Sequence, residues 1–403
     1  MIVKIMNKRI LTGAVMVLLM LNVNCWDYNE IEEITLMNAV GFDYQQEEEL
    51  MIYTNHMIRA AGITGGLGEG GQETGPVWIG KSTGKTVFES SRNLAARSSR
   101  AIFEAHNRIV VVGENMAREK TGELVDFIVR RKEQRLNSWL LVAREGTAGE
   151  VLTAETELED TIPQEIEGIL EAQLELSTAP RVQLRDFIIS MIQQGKDAYA
   201  PALEVRKEIQ PPAEEFQVPP RAEEQVQEYL IVQGTAVFSG DKLAGYLTIP
   251  ETKGLLWVKG EAGRAVIIPQ KPKGGQVTVF ITRGRSSLEP EFKGDGLKMK
   301  VKIEVEGDIG SSTITEDISD PLVIEKLERQ LAHDIKEEVL LALAKSQEYK
   351  SDFLDFGAAF RRKDPVKWAE IKENWRIKLS RVEVEVQVIA NLRRTGLMGD
   401  PVM

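Results

Sequence analysis

Apolar and polar residues alternate along the chain with the two periods that distinguish strands from helices. Period two is clearest at 299–305 and 382–388, where every second residue is apolar and Lys, Glu or Gln lies between. This predicts half-solvated strands of an antiparallel sheet. Between them, 321–346 is predicted to be one long amphipathic helix covering a face of that sheet. Its apolar stripe consists of Ile324, Leu327, Leu331, Ile335 and Val339.

The amino-terminal half alternates shorter segments of both kinds. Its predicted strands are 34–43, 49–59, 77–79, 109–112 and 138–143, and its predicted helices are 85–97, 116–131, 165–176 and 184–194. The carboxyl-terminal half adds a strand pair at 228–238 and 243–247, a strand at 277–282 and a helix at 365–378. The expected fold class is therefore multi-domain α+β, with mixed and antiparallel sheets each packed with helices.

Two segments have the composition of irregular chain. Residues 60–76 contain seven glycines and are predicted to be a loop between strands, while five prolines punctuate 201–227. We expect a signal peptide at 1–24, an amino-terminal domain at 25–200, a proline-rich linker at 201–227 and a carboxyl-terminal domain at 228–396. Residues 269–275 are a candidate point for subdividing the last domain.

The first 24 residues have the organisation of a targeting segment. A basic start is followed by twelve uncharged residues, 10–21, fewer than the roughly 20 that a membrane-spanning helix needs. Cys25 follows where a bacterial lipoprotein is cleaved and acylated, so it is the predicted lipid attachment site. Asn22 and Asn24 depart from the usual pattern, which has an aliphatic residue and a small residue at those positions. An ordinary signal peptide or an uncleaved anchor is the alternative.

The charge of the chain restricts its partners and its chemistry. The formal net charge of −12 argues against nucleic acid, which needs a basic face. Removal of residues 1–24 leaves 47 basic and 62 acidic residues, or −15, and anionic lipid is expected to repel such a body unless it is tethered. The single cysteine excludes an internal disulfide and a multi-cysteine metal site.

Motifs that resemble catalytic or nucleotide-binding sequences lack the required context. Residues 66–71 match G-x-G-x-x-G, but Pro76 and a predicted strand follow instead of a helix. Residues 80–86 have three residues between the glycines where a P-loop needs four, and they are predicted to be a turn with Thr86 near the start of the next helix. His56, His106 and His333 lack partners at ligand spacing. No catalytic, cofactor or metal site is predicted, and Trp257, Trp368 and Trp375 are expected to anchor cores.

Five segments, in order, resemble the Ger(x)C family, the lipoprotein C subunits of the nutrient germinant receptors of spore formers. The segments at Trp257 and at Phe356-Gly357 are the most distinctive. The resemblance rests on Cys25-Trp26-Asp27 running into Gly41-Phe42-Asp43, Gly84-Lys85-Thr86, His106 followed by 109–114, Gly234-Thr235-Ala236 continuing to Trp257, and Ser351-Asp352, Phe356-Gly357, Trp368 and Trp375.

The resemblance implies a non-enzymatic scaffold or coupling subunit without a cofactor. It also implies anchoring through Cys25 at the outer face of the spore inner membrane, beside an A-type membrane subunit and a permease-like B-type subunit. A lipid-anchored solute-binding protein that delivers a nutrient to a transporter is the alternative, and it requires a two-lobed cleft with convergent polar groups. A cell-envelope hydrolase is a third reading, for which the sequence shows no clustered catalytic side chains.

Overall fold

The computed structural model of the chain describes residues 33–58, 77–131, 135–209, 226–262, 266–267, 276–294, 296–314, 316–318 and 320–394. The candidate targeting segment with Cys25, the glycine-rich segment and residues 210–225 lie outside these ranges. What the sequence predicts for them stays a prediction.

The larger of two sheets has nine strands within the described ranges. They are β1 (Ile34–Gln45), β2 (Leu50–Ile58), β3 (Val77–Gly84), β4 (Ala101–Phe103), β5 (Ile109–Val112), β6 (Trp139–Ala143), β7 (Tyr199–Ile209), β8 (Val226–Ser239) and β9 (Lys242–Leu247). Their order is β3-β2-β1-β5-β6-β7-β8-β9, with β4 beside the start of β1. β1, β5, β6 and β7 run parallel, and the outer strands are added in antiparallel pairs.

Helices cover both faces of this sheet. They are α1 (Val87–Ala95), α2 (Glu114–Glu119), α3 (Thr121–Arg130), α4 (Ala148–Thr153), α5 (Ile162–Leu176) and α6 (Leu184–Ile192). Leu94, Leu124 and Phe187 belong to the core on one face, and Leu152 and Ile166 to the core on the other. All four residues of β5 are apolar and buried, as expected for a parallel strand covered on both sides.

The smaller sheet has the order β10-β11-β12-β13 in the described part of the chain. Its strands are β10 (Val266–Ile267), β11 (Val277–Lys293), β12 (Gly296–Ser312) and β13 (Glu383–Arg394). The helices that accompany it are α7 (Ile249–Lys259), α8 (Pro321–Glu348), α9 (Phe356–Lys363), α10 (Pro365–Ile371) and α11 (Trp375–Leu379). The two sheets and their helices confirm the α+β fold class.

The predicted stripe of α8 is confirmed with one change at its start. Leu327, Leu331, Ile335 and Val339 are buried in the core of the smaller sheet, whereas Val323 replaces the half-buried Ile324. The predicted antiparallel arrangement is wrong for β13, which pairs parallel with β12. The helices from α8 to α11 carry the chain back across the sheet, and a parallel pair requires such a crossover.

The predicted proline-rich linker is wrong at both of its ends. β7 continues to Ile209, and β8, which begins at Val226, pairs antiparallel with it inside the larger sheet. Pro201 is accommodated because the register shifts between Pro201 and Leu203, and a bulge tolerates a residue without an N–H donor. The predicted linker therefore connects two neighbouring strands of one sheet.

Several helices differ from the sequence prediction. The sequence prediction lacks α4, α7 and α9, because α4 and α9 are short and because α7 is buried over most of its surface and has no amphipathic stripe. The predicted helix at 116–131 is divided at Lys120 into α2 and α3. A 3₁₀ turn at Lys372–Asn374 separates α10 from α11 within the helix predicted at 365–378.

Candidate functional site

A cluster of polar groups, buried at its centre, joins the larger sheet to the helices that follow α8. We call it the junction cluster. Its members lie in the connection from α6 to β7 and between α8 and α11, and they are Gly195, Lys196, Asp197, Ser351, Asp352, Asp355, Gly357, Trp375 and Arg376. The residues that carry the distinctive Phe356-Gly357 resemblance thus lie at the contact between the larger sheet with its helices and the smaller sheet with its helices. We call these two parts the halves of the chain.

Asp352 is at the centre of the cluster and is fully buried. Its carboxylate accepts hydrogen bonds from the backbone N–H groups of Phe356 (2.8 Å) and Gly357 (2.6 Å) and from Nε1 of Trp375 (2.8 Å). The first two donors open helix α9, where free N–H groups favour a negative charge. Burial nevertheless raises the pKa of Asp352 to about 7, against the lowering effect of these bonds.

Asp197 connects three elements to this centre. Its Oδ2 accepts from the backbone N–H of Asp352 (2.8 Å), and its own N–H donates to the carbonyl of Asp352 (3.1 Å). Its Oδ1 accepts from the N–H of Gly240 and from Nη2 of Arg376, both at 2.8 Å. The turn between β8 and β9, the start of β7 and helix α11 are therefore held together by one carboxylate.

Two glycines allow the backbones of the two halves to touch. A Cβ atom on Gly357 would lie 2.7 Å from Cα of Gly195, and one on Gly195 would lie 2.6 Å from the carbonyl carbon of Gly357. The carbonyl of Gly195, whose φ is +79°, also accepts from the N–H of Ala358 at 2.8 Å. Glycine is required at both positions because any side chain would separate the backbones.

Asp355 adds an ion-paired group at the edge of the cluster. Its Oδ2 lies 3.0 Å from Nζ of Lys196 and 2.8 Å from Nζ of Lys259. Burial alone would raise the pKa of Asp355, but the two ammonium groups outweigh it and hold the pKa below its usual value. These two pairs tie the end of α7 and the connection before β7 to the start of α9.

A cavity of about 450 Å³ lies beside the junction cluster and has walls from both halves. Its lining includes Gln193, Lys196, Trp368, Lys372 and Arg376. The rings of Trp368 and Trp375 meet edge to face at 5.1 Å. Both indoles are buried, as is Trp257, so the prediction that these tryptophans anchor cores is confirmed.

A second, acidic hollow of about 350 Å³ lies at the other end of the larger sheet. It is lined by Asp43, Glu114, Glu145 and Glu150 among others. Asp43 accepts from the N–H groups of Ala148 (2.7 Å) and Gly149 (3.0 Å) at the start of α4, and burial raises its pKa. In the described part of the chain, no three His, Cys, Asp or Glu side chains are grouped so that they could hold a metal ion.

The sequence motifs fall where they perform structural roles. The turn predicted at 80–86 is wrong for residues 80–84, which belong to β3. The hydroxyl of Thr86 accepts from the N–H of Glu89 (3.1 Å), so its predicted place at a helix start is confirmed. His56 is buried and its pKa is lowered by burial to about 4, whereas His106 and His333 are exposed. Cys25 and the G-x-G-x-x-G segment at 66–71 lie outside the described residues. None of the described helices is long and apolar enough to cross a bilayer.

Sequence reasoning missed Gly195 and Asp197. Their only local signal is a glycine after the predicted helix 184–194, which indicates a helix end. Their partners Asp352 and Gly357 lie more than 150 positions later in the chain. The resemblance selected those partners without showing what they contact.

Comparisons with known proteins agree with this architecture. A family model described as the spore germination protein N-terminal domain matches residues 27–205, and one described as spore germination B3/GerAC like, C-terminal, matches residues 233–396. Spore germination protein KC of Bacillus subtilis (strain 168) is 25% identical over 94% of this chain and 93% of its own. Spore germination protein YndF of the same organism is 27% identical over 96% of this chain and 98% of its own.

The crystal structure of the GerBC protein has a similar fold, with a TM-score of 0.55 and 16% sequence identity over 91% of this chain and 99% of that chain. The two family models together span most of the sequence, and the second begins within β8 of the larger sheet. The family resemblance found in the sequence is thus confirmed, and the chain belongs to the spore germination protein family that these amino- and carboxyl-terminal domains define.

Proposed function

We propose that this protein is a non-enzymatic lipoprotein subunit of a nutrient germinant receptor and that its body is a scaffold coupling the membrane subunits. The junction cluster is the observation that supports a scaffold. Ser351 bonds to Phe238 and Asp352 to Asp197, Gly357 touches Gly195, and Trp375 holds the carboxylate of Asp352 in place. A carboxylate whose oxygens are occupied by the protein's own donors is committed to structure and is closed to a substrate.

A coupling subunit must transmit a displacement from one surface to another without deforming. The junction cluster suits this role because it joins β7, the β8–β9 turn and helices α7, α9 and α11 through buried hydrogen bonds and ion pairs. Buried networks of this kind favour one arrangement of the elements they join. The expected partners are an A-type membrane subunit and a permease-like B-type subunit.

Cys25 supplies the proposed attachment to the outer face of the spore inner membrane. An acyl anchor would raise the local concentration of the scaffold at the receptor and replace an attraction that the acidic body lacks. Because Asn24 stands where the lipoprotein pattern has a small residue, N24G should be processed at least as well as the natural chain. C25A should lack the lipid.

The solute-binding alternative has one feature in its favour, the 450 Å³ cavity between the two halves. Its volume is within the range of small-molecule sites. The guanidinium of Arg376 on the cavity wall, however, is already paired, since it donates to Asp197. Saturable binding of a small nutrient by the purified chain would favour this alternative over the scaffold.

Affinity purification of the tagged full-length chain from detergent-solubilised spore membranes tests the proposal. Recovery of a permease-like multi-span protein and a second large membrane subunit is expected with the natural chain and with N24G. C25A should yield no acylated protein by mass spectrometry and much less of both partners. Recovery of the chain alone, or with a transporter of the ABC type, would contradict the receptor-subunit proposal.

A further inference from the structure

The two ends of the larger sheet can be distinguished by strand direction. Because β1, β5, β6 and β7 are parallel, their first residues, Ile34, Ile109, Trp139 and Tyr199, lie toward one edge, which we call the amino edge. The turn between β8 and β9 lies at the same edge, since β8 is antiparallel to β7. The opposite end of the sheet is the carboxyl edge.

The exposed charges in the connections at the amino edge are mainly basic. Arg97 precedes β4, Arg108 precedes β5 and Arg135 precedes β6, and all three are exposed. Of these, Arg108 forms an ion pair with Glu167 of α5. Glu33, directly before β1, and Asp241, in the β8–β9 turn, are the exposed acidic residues among the described residues of these connections. Glu104, the acidic residue before β5, is buried and pairs with Arg131.

The carboxyl-terminal half of the chain adds cations and apolar groups to this edge. The hydroxyl of Ser239, at the end of β8, donates to the carbonyl of exposed Lys350 (3.1 Å). The exposed guanidinium of Arg376 reaches Asp197 beside the start of β7. Ile377 of α11, on the wall of the 450 Å³ cavity, is 55% exposed, and Ile192, which ends α6 in the amino-terminal half, lines the same cavity and is 71% exposed.

The carboxyl edge has the opposite charge. Glu47, Glu48 and Glu49 form the β1–β2 turn, Glu145 follows β6, and all four are exposed. Exposed basic residues there are Lys85, which follows β3, and Arg206 and Lys207 near the end of β7. The last two pair with Glu204 and Glu228. The acidic hollow around Asp43 lies at this edge as well. The two edges of the larger sheet therefore differ in charge, and the net charge of the chain does not show this difference.

The chain enters the body at the amino edge. Nine peptide units separate Cys25 from Ile34, so they span at most about 30 Å when fully extended. β1 has 12 residues and carries the chain about 40 Å further, to the carboxyl edge. An anchor at Cys25 would thus keep the basic end of the sheet nearest to the bilayer.

We propose that the amino edge is a docking surface for an anionic phospholipid bilayer and that it orients the body on the membrane. This inference rests on the proposed anchoring through Cys25. Screening makes the local charge decisive, because the Debye length of about 8 Å at physiological salt is shorter than the roughly 13–40 Å that β5, β6 and β1 span between the two edges. The basic edge attracts anionic headgroups, Ile192 and Ile377 enter the interface, and the distant acidic edge contributes little repulsion.

Energy transfer from single labels to a headgroup acceptor in the bilayer tests the orientation. The full chain, purified from membranes, is reconstituted in vesicles of phosphatidylcholine alone or mixed equally with phosphatidylglycerol. Acylation blocks Cys25, the only natural cysteine, so a cysteine introduced by S99C reports the amino edge and one introduced by E47C reports the carboxyl edge. Transfer should be at least twofold higher from position 99, and the difference should grow with phosphatidylglycerol and shrink with salt. Equal transfer, or no response to phosphatidylglycerol, would overturn the proposal.

Charge reversal tests the docking surface independently of the lipid anchor. R97E combined with R135E should abolish the response to phosphatidylglycerol, whereas K85E combined with K120E, the same charge change on the carboxyl-edge side, should leave it intact. Thermal unfolding of each variant reports whether the fold is kept. Mass spectrometry of the same preparation shows whether Cys25 carries lipid, so loss of the anchor can be distinguished from loss of the docking surface. An unchanged response in the R97E/R135E protein would refute the docking surface even if the chain is acylated.

Discussion

The indole Nε1 of Trp375 donates a 2.8 Å hydrogen bond to Oδ2 of Asp352, which lies 23 positions earlier in the chain. The same oxygen accepts from the N–H of Gly357. The start of α9 and the start of α11 are therefore fixed to one buried carboxylate. The N–H of Asp352 in turn donates to Oδ2 of Asp197, and the N–H of Asp197 donates to the carbonyl of Asp352, so the connection reaches the larger sheet.

The stability of the protein should fall as pH rises through 7 because of Asp352. Its pKa is about 7 in the folded chain and near 3.8 without burial, so the folded state binds the proton more tightly. The contribution of Asp352 to stability is complete below about pH 4 and is lost as pH rises through 7. Between pH 5 and pH 8 the loss should be about 2–3 kcal/mol.

Urea unfolding at the two pH values measures this loss, with D352N as the test variant. D352N should be less stable at pH 5, by about 1–3 kcal/mol, because its amide replaces an acceptor facing three donors. It should also lack the pH-dependent loss. E47Q, at an exposed turn position, should keep the natural profile. An identical pH dependence in D352N would show that other groups cause it.

Substitution of Gly357 should separate the two halves of the chain. G357A places a methyl group 2.7 Å from both Cα of Gly195 and Nε1 of Trp375. The backbones must move apart, and we expect a loss of about 1–3 kcal/mol or more in the free energy of unfolding. G168A is the matched control, since Gly168 is exposed in α5 and has no atoms nearby to meet a Cβ. It should gain about 0.5–1 kcal/mol from helix propensity.

Local sequence patterns were sufficient for the elements whose burial is regular. β5 is an uninterrupted apolar run, and α8 has a clean stripe from Leu327 to Val339, so both were predicted within a few residues. α7 was missed because Gly254, Leu255, Trp257 and most of its other residues are buried, which removes the polar face that marks a helix. The parallel pairing of β13 could not be inferred because both pairings give the same alternation.

The junction cluster could be predicted only in part. The resemblance selected Asp352, Gly357 and Trp375, but the sequence contains no signal that brings Asp197 to Asp352 across 155 positions. Hydrogen bonds at such separations depend on the topology of the sheets, which composition and periodicity do not specify. The basic charge of the amino edge could not be predicted for a related reason, since the net charge of a chain does not report where its charges lie in the fold.

Trp257 should stabilise the folded protein through a hydrogen bond as well as through its burial. Its Nε1 donates to Oε2 of Glu338 on α8 at 2.7 Å, and burial raises the pKa of Glu338 despite this bond. W257F would keep an aromatic ring but leave the carboxyl group without this donor, at a cost of about 1–3 kcal/mol. A double-mutant cycle with E338M, which removes the acceptor, measures the coupling by urea unfolding. Additive effects would contradict a role for the bond.

Leu331 allows a test of whether the two halves unfold as one unit. It is fully buried in the core of the smaller sheet, and L331A should cost about 2–5 kcal/mol. L341A, on the same helix but 46% exposed, should cost much less. If the junction cluster couples the halves, native-state hydrogen exchange should show the same loss of protection in β12 and in distant β5. Combined with G357A, the loss should stay in β12, because the contact that transmits it has been opened. Loss confined to β12 in L331A alone would show that the halves unfold independently and would weaken the case for a rigid scaffold.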